Sequence, residues 1–195
     1  MVDRVTSLIG LVPRLAVVDV ETSGLSLRRH RILQIGVVVV DDGEIVDRWS
    51  TFVRLRWPLQ RLGARHIHGL TRRRLRGAPR LRDALEELAA RLDGAVFTAH
   101  NAAFDAAFLE RAARRAGVRL ELGPRLCTLQ LSRRLDPDRA ASHRLADLCA
   151  RYDVELDHPH DALGDALATA AVLPHLLAAH GVLTPEALAA LYDTR

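Results

Sequence analysis

Apolar residues run unbroken from Leu15 to Val18 and dominate residues 32–42 (ILQIGVVVVDD). Such short continuous runs predict strands covered on both faces, a central one over 14–20 and a second over 32–42. Asp41-Asp42-Gly43-Glu44 supplies hairpin-turn residues. The alternation in EIVDRWSTFVRLR (44–56) predicts a third strand, so the sheet opens as a three-stranded antiparallel meander. The period then changes. Leu81, Ala84, Leu85, Leu88 and Leu92 recur at helical spacing behind Pro79, and Asp93-Gly94 ends that helix. AVFTA (95–99) predicts a short strand. A helix over 101–116 follows, with Phe104, Phe108 and Ala112 on one stripe and Gly117 as its stop. Further helices are expected around 126–135, 143–152 and 161–180, and Thr184-Pro185 opens a last short one to about 193. The expected fold class is α/β, a mixed sheet flanked by helices. One domain over 1–195 is expected, its core at about 14–180.

Composition narrows the class. A chain of 195 residues that is 49% hydrophobic and 27% charged suits one globular unit. No apolar run approaches the roughly 20 residues of a membrane span. The start has no small-residue cleavage site, so neither a membrane nor a signal peptide is expected. Two cysteines, Cys127 and Cys149, are too few for a disulfide framework and point to a reducing, cytoplasmic setting. All 28 basic residues are arginine, for a net charge of +4. Planar, permanently charged guanidinium forks suit phosphate, and the positive excess is compatible with nucleic acid. The basic run RRRLRGAPRLR (72–82) is read as a solvated helix face, with nucleic-acid contact as its alternative.

The candidate chemistry starts inside the first strand. In VVDVETSGL (17–25), side-chain alternation puts Asp19 and Glu21 on one face while Val20 points to the other. Two strand steps separate the acids by roughly 7 Å, where an effective dielectric of about 20 gives a repulsion of roughly 2 kcal/mol. Either the strand lies at an edge and its acids reach solvent or arginine, or a hard divalent cation sits between them. A second acid, Asp105, lies one turn into the helix that follows His100-Asn101. Helix capping by Asn101 and dipole compensation by Asp105 are the alternative to a site there. A third, Asp165, stands among Ala162, Ala166 and Ala170, small residues that allow close approach to a sheet. His160 precedes it by five residues. The alternative makes Asp161 the cap, Asp165 solvent-facing and His160 an ordinary surface histidine.

The order of these pieces is similar to that of a known family. D-x-E-T-S-G on a first strand, H-N-x-x-F-D at a strand–helix junction and H-x-A-x-x-D on a late helix resemble the DEDDh (DnaQ-like) exonucleases. The likeness is greatest to the proofreading epsilon subunits of bacterial DNA polymerase III. It runs from about Leu15 to Leu176 and takes in HIHGLT (66–71) and HRLADLCARYDV (143–154). The resemblance implies a ribonuclease H-like fold and two divalent metal ions, Mg²⁺ or Mn²⁺, held by Asp19, Glu21, Asp105 and Asp165. It implies His160 as general base. A tyrosine type of the family carries its tyrosine one residue nearer the last Asp, where this chain has Asp161, so the histidine type fits. By the same match, Thr22, Ser23 and Leu25 lie beside a 3′-terminal nucleotide, and His68, His100, Asn101 and Phe104 contact it. For Leu25 and Phe104, core packing is the alternative. His143 has no catalytic role in this reading and is expected to cap its helix near Ser142. Gln34 stands where relatives often carry glutamate.

The implied activity is hydrolysis of the terminal phosphodiester at a 3′ end of single-stranded or unpaired DNA, releasing nucleoside 5′-monophosphates. A phosphodiester is anionic, so metals that stabilise both attacking and leaving oxygens suit it. An imidazole titrates near operating pH and suits the proton transfer. RNA is the alternative substrate, since a motif does not show contacts to the 2′-OH. A non-catalytic nucleic-acid-binding module is the minor alternative, and a degenerate one should have lost one of the five residues. TPEALAALYDTR does not resemble the long polymerase-docking tail of the proofreading subunit, so the resemblance lends little to a polymerase partner.

Overall fold

The computed structural model describes residues 13–55, 62–63, 69–157 and 159–192. Five strands form one mixed sheet in the order β3-β2-β1-β4-β5. They are β1 (Leu15–Thr22), β2 (Ile32–Asp41), β3 (Glu44–Phe52), β4 (Val96–Ala99) and β5 (Arg125–Cys127). β1 pairs antiparallel with β2, and β2 with β3. β4 lies parallel to β1, and β5 parallel to β4. The helices are α1 (Arg72–Arg76), α2 (Leu81–Leu92), α3 (Ala102–Ala116), α4 (Thr128–Arg134), α5 (Leu145–Tyr152), α6 (Ala162–Ala179) and α7 (Pro185–Ala189). The expected mixed sheet flanked by helices is the architecture found.

Local chemistry explains the elements. Asp41 pairs with Glu44 across a two-residue turn whose Asp42 and Gly43 both have positive φ, 49° and 79°. That is the hairpin turn whose twist matches the strands. α6 starts at Asp161, whose carboxylate accepts from the Gly164 N–H, and α7 starts at Thr184, whose hydroxyl accepts from that of Ala187.

Side-chain parity along β1 divides the core. Ala16, Val18 and Val20 pack with Leu85 and Leu88 of α2 and Phe108 and Leu109 of α3. Leu15 and Val17 pack on the other side with Leu148 of α5 and Val172 and Leu176 of α6. Asp19 and Glu21 continue this second parity, towards the side that α6 covers. α6 is an 18-residue helix of mean hydropathy 1.5, long and apolar enough by composition to cross a bilayer. Here it is a core helix, laid against β1 and β2 with Leu173, Leu176 and Leu177 buried.

Three expectations need correction. The third strand ends at Phe52 rather than 56, because the Arg54 N–H turns to the Pro79 carbonyl (2.9 Å) and leaves the sheet. Residues 125–127 are a strand, not the start of a helix. Three residues leave no visible period, and the helical pattern of α4 begins immediately after them. The helix expected from Pro79 begins at Leu81, with Pro79 outside it as an acceptor for Arg54.

Candidate active site

β1 outruns its neighbour. Its pairing with β4 ends at Val17, so the strand beyond has an open edge on that side. α3 fills the gap: Asp105, buried at 4% exposure, accepts the Val20 N–H through Oδ1 at 3.1 Å. That bond fixes the carboxylate beside the two acids of β1. On the α6 side the sheet is thinned at Gly36, which pairs with Asp19. A Cβ at Gly36 would lie 2.3 Å from the backbone carbon and oxygen of Ala162. Glycine therefore lets the first turn of α6 rest on the sheet and brings Asp165 to Glu21, as the small residues around Asp165 led one to expect.

His160 enters through its backbone as well as its ring. Its φ is 66°, and its N–H donates to Asp165 Oδ2 at 3.2 Å. The ring is exposed. A ring nitrogen of His160 and carboxylate oxygens of Glu21 and Asp165 all lie within 4.8 Å of one another.

Electrostatics join the four acids. Burial pushes Asp19 far above the ordinary carboxylate range, with Asp105, Asp165 and Glu21 adding repulsion in that order. Burial and then Asp165 and Asp161 raise Glu21 to about 7. Burial raises Asp105 to about 8 against the lowering effect of the Val20 N–H, and Asp165 is raised chiefly by burial. Among the described residues none of the four pairs with an arginine. Buried carboxylates are paired, protonated or bound to a cation. With no arginine paired to them among the described residues, these oxygens are a hard, all-carboxylate donor set of the type that binds Mg²⁺ or Mn²⁺.

A further layer was not evident in the sequence. Gln34 donates through Nε2 to Asp161 Oδ1 (2.8 Å) and to Ser50 Oγ (3.2 Å), tying β2 and β3 to the start of α6. Its position opposite Glu21 in the ladder was the available signal. His100 Nδ1 shares a 3.0 Å hydrogen bond with Thr128 Oγ1, and burial lowers the imidazole to about 4, so the ring is neutral at pH 7.

The expected nucleotide contacts sort differently. Thr22 Oγ1 donates to the Gly24 carbonyl (3.0 Å), and Ser23 Oγ accepts the Arg31 N–H (3.0 Å). Both side chains are buried and hold the turn, which leaves backbone as what the turn presents. A Cβ on Gly24, whose φ is 143°, would meet the His30 ring at 2.7 Å. Leu25 is 82% exposed, which removes core packing as its explanation. Asn101 stands at the N-cap of α3 but makes no capping bond with its side chain. Phe104 sits at the margin of the core against Phe108, ring centroids 4.8 Å apart. His68 lies outside the described residues. His143 does not cap α5: its Nδ1 bonds Ser132 Oγ (2.8 Å) and its Nε2 faces Asp136 Oδ2 (3.3 Å), while Arg144 is the N-cap. Cys127 and Cys149 are both buried, and neither is in a disulfide.

Comparison with known proteins finds an exonuclease family and its architecture. The RNase_T family, described as exonuclease, matches residues 16–173. A DNA polymerase III of PolC type from Halalkalibacterium halodurans is 38% identical over 157 residues, covering 80% of this chain and 11% of that one. The chain thus spans about a tenth of the curated relatives it matches. Exonuclease X, solved in complex with 5′-overhanging duplex DNA, superposes with a TM-score of 0.69 at 29% identity, covering 91% of this chain and 98% of that one. Exonuclease I of E. coli, solved with an oligonucleotide, gives 0.75 at 18% identity over 86% of this chain and 42% of that one, a likeness of fold.

Proposed function

This chain belongs to the RNase_T exonuclease family, and on that premise we propose that it is a metal-dependent 3′→5′ exonuclease of the DEDDh type. The proposed substrate is the terminal phosphodiester of single-stranded or unpaired DNA, cleaved to a nucleoside 5′-monophosphate. The observation that carries this is one cluster: four carboxylates from β1, α3 and α6 that pair with no arginine among the described residues, and a histidine within 4.8 Å of two of them.

Asp19, Glu21, Asp105 and Asp165 are the proposed holders of two divalent cations. Bound there, such cations supply positive charge for the attacking and leaving oxygens of a phosphodiester. The chain's residues do the rest. Val20 N–H and His160 N–H each hold one oxygen of Asp105 and Asp165, which orients the carboxylates and leaves the other oxygen of each for a cation. Imidazole is basic enough to take the proton of an attacking water, and the exposed ring of His160 can pass it to solvent. The loop at Thr22-Ser23-Gly24 offers backbone to the terminal nucleotide. Exposed Leu25 and the edge of Phe104 offer apolar surface to its base, which tolerates any sequence. Neutral His100 and Asn101 offer hydrogen bonds without further charge. The terminal base must leave its stack to reach this site, which favours unpaired ends.

Exonuclease X, with its 5′-overhanging DNA, supports DNA as the substrate, and the PolC-type relatives make a DNA polymerase the partner to test. Labelled DNA with a 5′ fluorophore and Mn²⁺ should shorten stepwise from its 3′ end, and EDTA or Asp19→Ala should stop it. Intact DNA at high enzyme overturns the proposal. A matched RNA oligonucleotide shortened much faster than the DNA would move the assignment to exoribonuclease.

A further inference from the structure

Six arginines that are scattered in sequence line one open cleft on the α2–α3 side of the sheet: Arg31, Arg54, Arg80, Arg82, Arg111 and Arg115. The cleft has a volume of about 960 Å³ and a floor that includes Val53, Phe108 and Ala112. Only Arg82 has an acidic partner among the described residues, Glu86 at 3.2 Å. The Nε of Arg111 is buried and has no hydrogen-bond partner. Burial, then the charges of Arg115 and Arg111, lower the affinity of the Arg31 guanidinium for its proton. Like charges are thus gathered beside apolar surface, and among the described residues they are offset only in part: Arg82 has Glu86 and the Ala116 carbonyl (2.6 Å), and Arg31 Nη1 donates to the carbonyls of Arg28 (3.2 Å) and His30 (2.6 Å). Arginine stays charged at neutral pH, and Arg54, Arg80, Arg82 and Arg115 are exposed, so a polyanion can reach them and displace their counter-ions.

Two contacts make the cleft continuous with the acid site. Phe108 of its floor packs on Phe104. Arg31 and Ser23 exchange two hydrogen bonds: the Ser23 N–H to the Arg31 carbonyl (2.9 Å), and the Arg31 N–H to Ser23 Oγ (3.0 Å). The loop between them therefore has the acid site at one end and the cleft at the other.

We propose that this cleft binds the sugar-phosphate backbone of the nucleic acid, several nucleotides upstream of the 3′ end, with guanidinium groups on the phosphates and bases laid on the apolar floor. Separated arginines beside apolar surface match the repeat of a strand better than they match one isolated phosphate. The proposal takes the direction of the strand from the nuclease reading, but its test does not require hydrolysis.

The test is fluorescence anisotropy in EDTA with four- and twelve-nucleotide oligothymidylates over a range of salt. The variants are Arg54→Gln, Arg115→Gln and their combination, all at exposed positions, with thermal melts to show that each is folded. The twelve-mer should bind wild type at least about tenfold more tightly than the four-mer, and the double variant should erase most of that advantage. Each lost arginine should reduce the slope of log affinity against log salt by about 0.7. Unchanged slope and unchanged length advantage in folded variants overturn the proposal. Poly-glutamate that binds with the same slope and the same arginine dependence overturns it in favour of an acidic polypeptide. Oligonucleotide bound through these arginines but left intact with Mn²⁺ would sink the nuclease reading alone.

Discussion

The acid cluster and the arginine cleft are opposite solutions to one problem. Each concentrates a single sign of charge beside the same loop, and neither neutralises the other. Asp105 is buried and Asp19, Glu21 and Asp165 are half-buried between β1, α3 and α6, where loss of solvent raises their affinity for protons, to about 7 at Glu21 and about 8 at Asp105. They can discharge themselves by protonation. The arginines stand on an open rim and stay charged whatever the pH. The contrast teaches that acids withdrawn from solvent call for a small cation, as proposed for this cluster, whereas exposed guanidinium groups suit a polyanion, as proposed for the cleft. Breaking the acid cluster should therefore change chemistry and stability together, whereas breaking the cleft should change only the strength and salt dependence of binding.

The largest effect is expected at Asp19. Asp19→Asn removes a proposed ligand and a repulsion at once. Hydrolysis should fall by about 10³-fold or more, several kcal/mol of lost charge stabilisation. The metal-free protein should nevertheless melt higher than wild type at pH 8, because one of the buried charges is gone. A melting temperature that falls with the activity would show Asp19 to be stabilising rather than strained.

His160→Gln comes next, with an expected loss of roughly 10²- to 10⁴-fold in turnover. Stabilisation by Mn²⁺ should survive, because the four carboxylates remain. Loss of Mn²⁺ stabilisation in this variant would make His160 a ligand, a role that its proximity to Glu21 and Asp165 would accommodate.

How much of this contrast the sequence carried depends on spacing. The acids were legible because each sits in a short local pattern: alternation for Asp19 and Glu21, a strand–helix junction for Asp105, small helical neighbours for Asp165. The order of the three patterns then carried the family. The cleft was not legible, because its arginines come from four separate segments and converge only when α2, α3, the loop after β1 and the chain leaving β3 pack together. The one basic run that stood out, residues 72–82, contributes only Arg80 and Arg82. Its Arg74 lies over the Phe52 ring at 4.7 Å. β5 escaped because three residues show no period, and the Gln34–Asp161 bond because its partners are 127 positions apart.

pH sharpens the comparison at a smaller scale. Glu21 and Asp105 are raised in the fold, so the native state binds more protons than the unfolded chain between the two sets of pKa values. Their contribution to stability is complete below the unfolded pKa of about 4 and is lost as pH rises towards 7 and 8. Without metal, the melting temperature should fall by several degrees between pH 5 and pH 8. Saturating Mn²⁺ should raise it, and by more at pH 8 than at pH 5, since ligands must be deprotonated to bind. A metal-free melting temperature that rises over this range would show that the acids are not strained.

The smallest effect separates one acid from the other four. Asp161 lies close enough to add repulsion at Asp19 and Glu21, yet it already has two neutral donors, Gln34 Nε2 and the Gly164 N–H. A carboxylate satisfied by amides does not require a cation, so Asp161 belongs to the scaffold of α6 rather than to the ligand set. Gln34→Leu removes one donor and should cost about 1–3 kcal/mol, or a few degrees of melting temperature. Hydrolysis should drop less than about tenfold, roughly the 1.4 kcal/mol that a modest shift of α6 can impose on the barrier. Stabilisation by Mn²⁺ should stay at its wild-type size. A large fall in that stabilisation would move Asp161 into the ligand set, and the distinction between acids that need a cation and acids that do not would fail at its first step.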